Sequence, residues 1–147
     1  MTIKKIVAAI LLIVIAVAAC NNNSAKESKA VIEAITPGLG EYMSMVEYHH
    51  TNLKKSIDDD NLQRSSYELD ELMEVFEKAQ LLHNNHEKLV QPLSAQLNGF
   101  MYKPIKELQK SIEAKDSVGI KNGYKIITAN CNNCHQVNNM KYIKIAE

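Results

Sequence analysis

Tryptophan is absent from this chain, and phenylalanine occurs twice, proline three times and glycine five times in 147 residues. So few breakers and turn-makers disfavour an all-β or disordered chain, and the abundant Leu, Lys, Glu and Ala favour helix. A charge surplus is also missing, since 17 Lys and Arg are matched by 17 Asp and Glu. Phosphate binding needs a basic excess, so the balance argues against nucleic acid as a partner. Cysteines number three, which is odd and argues against a closed disulfide framework.

One long apolar run is present. Lys4 and Lys5 precede Ile6 to Ala19, which is unbroken and ends at Cys20. A spanning helix needs roughly 20 apolar residues, so this shorter run reads as the core of a secretory signal. Val17-Ala18-Ala19-Cys20 resembles the lipobox of bacterial lipoproteins, in which the Cys is lipidated and becomes the first mature residue. An uncleaved anchor with an incidental Cys is the alternative. Both readings place the remainder outside the cytoplasmic membrane. The expected division is 1–19 signal peptide, 20–37 lipidated N-terminus and polar linker, and 38–147 a single domain. The expected location is the periplasmic side, lipid-anchored. The lack of a retention signal after Cys20 favours an outer membrane.

Four helical patterns follow Pro37-Gly38. The first spans about Leu39 to Ile57, with Leu39, Tyr42, Met43, Val46, His50, Leu53 and Ile57 on one stripe. The second spans about Asn61 to Leu82, with Leu62, Leu69, Leu72, Met73, Phe76 and Ala79 inward. His83-Asn84-Asn85-His86 reads as a loop. The third spans about Pro92 to Ala114, with a kink or late start near Lys103 because Gly99 and Pro104 interrupt it. The fourth spans about Val118 to His135, capped by Asp116-Ser117, with Ile120, Tyr124, Ile127, Cys131 and Cys134/His135 on one face. No strand alternation is convincing outside Lys141 to Ile145. The fold class expected is all-α, an antiparallel four-helix bundle.

Cys131-Asn132-Asn133-Cys134-His135 is C-x-x-C-H, the attachment motif of c-type haem. Two thiols add to the two vinyl groups on one porphyrin edge, and the adjoining His offers imidazole as the proximal iron ligand. The motif closes an amphipathic helix, so a covalently attached haem is expected in the core near the C-terminus. Other readings are a Cys131–Cys134 disulfide, a thioredoxin-like pair that lacks its βαβ setting, and a zinc site joining His83 and His86 to both cysteines. The last leaves His135 unexplained.

A lone C-N-N-C-H motif on the last helix of an expected four-helix bundle resembles the cytochrome c-prime superfamily, in the form of small bacterial lipoproteins. Leu39 to His50 (Leu-Gly-Glu-Tyr-Met-Ser-Met-Val-Glu-Tyr-His-His) is similar to that family's first helix. The likeness covers about Leu39 to Met140. It implies that the residue at Met43 faces the distal side of the haem. Met there implies His/Met ligation and one-electron transfer, whereas an open distal site implies binding of gases such as NO or CO. Ordinary core packing of Met43 is the competing reading. His50 is an alternative distal ligand, a buried hydrogen-bonded residue, or a partner for a haem propionate. Tyr124 is expected near the porphyrin edge. Family members often carry a Lys or Arg beside the motif; Asn132, Asn133 and Gln136 stand here instead, leaving that role unassigned. The resulting expectation is an electron carrier, not an enzyme, with an unidentified redox partner protein. A homodimer is open, because family members often pair through helices.

Overall fold

The computed structural model describes residues 31, 32 and 34–146 of the chain. The chain divides into two compact units between Pro37 and Gly38. In the first, residues 31, 32, 34 and 35 are helical, and Thr36 closes the turn by donating its N–H and hydroxyl to the Ile32 carbonyl.

The second unit is helical, and no strand occurs among the described residues. Helix α1 is Leu39–Asp58 and α2 is Leu62–His83. The Gly38 N–H at the start of α1 donates to the Glu41 carboxylate at 2.6 Å, satisfying one orphan donor. Asp60, at φ 53°, reverses the chain. Asn61 then caps α2 by accepting from the Arg64 N–H at 3.0 Å. The two helices pack as a hairpin.

The third expected helix is divided. α3 is Leu93–Phe100 and α4 is Tyr102–Glu113. The break falls at Met101, two residues before the expected point. Pro104 has no N–H to give the Phe100 carbonyl, and its ring crowds that group. The carbonyl instead accepts from the Asn130 side chain, reaching over from the last helix at 2.7 Å.

That last helix, α5, is Ser117–Val137, with Asp116 accepting from the Val118 N–H as its cap. α4 lies close along α5 because Gly123 faces Leu108. A Cβ on Gly123 would sit 3.1 Å from the Leu108 Cβ.

The core is formed by the expected stripes. Leu53, Leu72, Ala79, Leu108 and Ile127 have no exposure. Sequence patterning missed one buried charge: Glu68, fully covered, is ion-paired to Arg64 and bonded to His49 Nδ1 at 2.7 Å. Among the described residues no helix is long and apolar enough to cross a membrane. The run Ile6–Ala19 and Cys20 lie outside the described residues.

Candidate functional site

α5 is amphipathic to its end. Its buried face runs through Ile120, Tyr124 and Ile127 and continues as Cys131, Cys134 and His135. There the flanking elements draw back and leave a cavity of about 330 Å³, within the range of small-molecule sites of roughly 300–1,000 Å³. Cys131, Cys134 and His135 line it from α5, and Met43 and His50 line it from α1. Leu39, Val46, Phe76, Leu89, Leu93 and Leu97 supply apolar wall. Residues of the C-terminal segment complete it, among them Met140 and Ile143.

Asn139, at φ 61°, turns the chain back at the end of α5. The Met140 N–H donates to the His135 carbonyl at 2.8 Å. The returning segment puts the Ile143 carbonyl 3.1 Å from His135 Nδ1. A carbonyl only accepts, so Nδ1 carries a proton, and the nitrogen left to offer a lone pair is Nε2. The imidazole is thus in the tautomer a metal ligand needs, with its other nitrogen held by an acceptor.

Both cysteines are free thiols in the structure. Burial pushes the Cys131 thiol up to about 12, and burial also raises Cys134. Neither is poised as the thiolate that disulfide exchange requires. Cys134 donates weakly to Gln96 Oε1 at 3.3 Å, and that oxygen also accepts from Asn138. Asn138 Oδ1 in turn accepts from the Val90 N–H at 2.9 Å. This buried amide pair ties the 84–92 loop to the end of α5.

Met43 is half-buried against the core, whereas Met45 is 38% exposed and does not line the cavity. A single helical stripe separates them. His50 touches the cavity, but both its ring nitrogens are engaged. Nε2 lies 2.8 Å from Thr128 Oγ1 and Nδ1 lies 3.2 Å from the Tyr124 hydroxyl. Desolvation by burial lowers its pKa to about 4, so the ring is neutral. This geometry makes His50 a buried residue with both ring nitrogens satisfied. Tyr124 does not line the cavity; it stacks on the His50 ring at 4.6 Å between centroids.

The zinc arrangement does not assemble. His83 packs against Tyr42 and His86, and His86 alone of that pair reaches the cavity. Among the described residues no group of three or more His, Cys, Asp or Glu converges as for a metal ion. A c-type haem makes a different demand, because the sulfurs bond to carbon and only the imidazole meets iron.

Sequence reasoning missed several lining groups. Lys88, on the loop after α2, is a basic cavity residue. The amide pair of Gln96 and Asn138 and the carbonyl of Ile143 also went unseen. None has a local signal, since each gains its role from a distant segment.

No protein-family model matches this chain, nor does any curated protein or solved structure.

Proposed function

We propose that this chain is a monohaem c-type cytochrome of the cytochrome c-prime kind, an exported and lipid-anchored carrier of single electrons. In this reading α1, α2, the broken pair α3–α4, and α5 form an antiparallel four-helix bundle. The carrying observation is that one apolar cavity is lined by both cysteines and the His of the C-x-x-C-H motif and by Met43 from a separate helix, with His135 Nδ1 held by a backbone carbonyl.

The residues fit the group. Cys131 and Cys134 would hold the haem covalently, each by addition of its S–H across a vinyl double bond, sulfur to one carbon and the proton to the other. His135 Nε2 and the Met43 thioether would hold the iron. Lys88, on the cavity wall, would be the basic group available to the propionates. Haem bound there supplies an iron that gains or loses one electron without any bond to substrate. The protein's part would be to hold His135 and Met43 in place and keep water from the group; a soft Met ligand and an apolar wall would raise its potential. No nucleophile–base pair is invoked.

The test is expression of the mature domain with a haem-attachment system, followed by haem staining after denaturation and by absorption spectra with and without CO. Covalent, low-spin, CO-resistant haem is expected, and it should be lost when Cys131 and Cys134 are both replaced by Ala. Absence of covalent haem overturns the reading. High-spin haem that takes up CO moves the function to gas binding.

A further inference from the structure

We propose that Asn132, between the two cysteines, is a positioning residue that orients His135 through the C-terminal segment. The proposal rests on the haem reading above. The Asn132 side-chain amide donates from Nδ2 to the Ile145 carbonyl at 2.9 Å, and its Oδ1 accepts from the Ile145 N–H at 2.9 Å. It therefore imitates a strand neighbour, using one planar donor–acceptor group for both backbone atoms of one residue.

The segment it holds has little else. Residues 141–146 form a turn and then irregular backbone, and Tyr142 is 78% exposed. At its near end the Met140 N–H is bonded to the His135 carbonyl, and at its far end Ile145 is clamped by Asn132. Between these ties the Ile143 carbonyl receives the proton of His135 Nδ1. Without the far tie, the carbonyl has only the exposed turn to keep it there.

The consequence is electronic as well as structural. An imidazole whose Nδ1–H is held by an acceptor is a stronger donor at Nε2, and its ring angle is set. A stronger donor favours the ferric over the ferrous state. Asn132 thus holds the reduction potential down through a backbone carbonyl that no substitution can remove directly. The same segment also places Met140 and Ile143 on the cavity wall, so the clamp closes that side to water.

The experiment compares the haem-loaded domain, Asn132→Ala, a chain ended after Met140, and the two changes combined. The reduction potential and the exchange rate of the Ile145 amide are read. Asn132→Ala should speed that exchange on the order of tenfold, the worth of one or two hydrogen bonds, and shift the potential upward. The shortened chain should shift it the same way, and adding Asn132→Ala to it should change nothing more. Release of Ile145 with no change in potential overturns the proposal. So does an Asn132→Ala shift that persists in the shortened chain, since Asn132 would then act on the haem directly. If Asn132→Ala fails to load haem, the shortened chain, with its motif intact, decides by its potential. If even the unaltered domain carries no haem, the cytochrome reading falls. The Ile145 exchange and the His135 Nδ1–H resonance of the haem-free chain then show whether the clamp exists.

Discussion

Acid should weaken this fold through His50, by an amount that its surroundings set. The ring is 2% exposed and stacked on Tyr124. The Thr128 hydroxyl donates its single proton to the Tyr124 carbonyl at 3.1 Å, so toward His50 it accepts, and Nε2 carries the ring proton. Nδ1 then accepts from the Tyr124 hydroxyl. A second proton would have to displace that donor and place a charge among apolar groups. The pKa accordingly falls from 6.5 to about 4. In the unfolded chain the ring takes a proton near 6.5; in the folded chain it does not until near 4. Stability is therefore full above pH 6.5 and declines as pH falls toward 4. Two and a half pH units at 1.36 kcal/mol each come to about 3 kcal/mol, a large share of a domain's total of roughly 5–15 kcal/mol. Urea unfolding of wild type and His50→Gln at pH 7.5 and 4.5 measures it. The wild type should lose about 2.5 kcal/mol more than the variant over that interval, at unchanged urea slope. Parallel losses in the two chains would refute the buried neutral histidine.

Met43→Ala in the haem-loaded protein should convert low-spin to high-spin absorption and admit CO, while Met45→Ala leaves both spectra as they were; identical spectra for Met43→Ala and wild type would make Met43 mere packing. Asn130→Ala strands the Phe100 carbonyl that Pro104 cannot serve, and calorimetry should show a loss of about 1–3 kcal/mol, partly recovered by adding Pro104→Ala. Gly123→Ala gains about 1 kcal/mol of helix propensity but presses on Leu108 at 3.1 Å. Its overpacking cost of roughly 1–3 kcal/mol should leave the domain less stable, and an unchanged or raised melting temperature would show that α4 can yield.

Local chemistry wrote much of this into the chain. The apolar periodicity assigns the inner faces of α1 and α5, and with them the side of the helix on which Met43, Cys131 and His135 lie. Spacing alone places Cys131, Cys134 and His135 in one motif. Pro104 announces a break, because a missing N–H is a property of the residue itself. Periodicity tells which way a side chain faces, though, and not what it meets. His50 and Thr128 are 78 residues apart, and only packing of α1 against α5 makes them partners. The same holds for Tyr124, whose place on the right stripe put it against His50 and not on the cavity wall. It holds also for Lys88, for Asn138, and for the return of Ile143 over His135. A side chain's direction follows from 3.6 residues per turn and is fixed within its own helix. Its partner depends on how distant segments settle against one another, and that the tertiary structure alone decided.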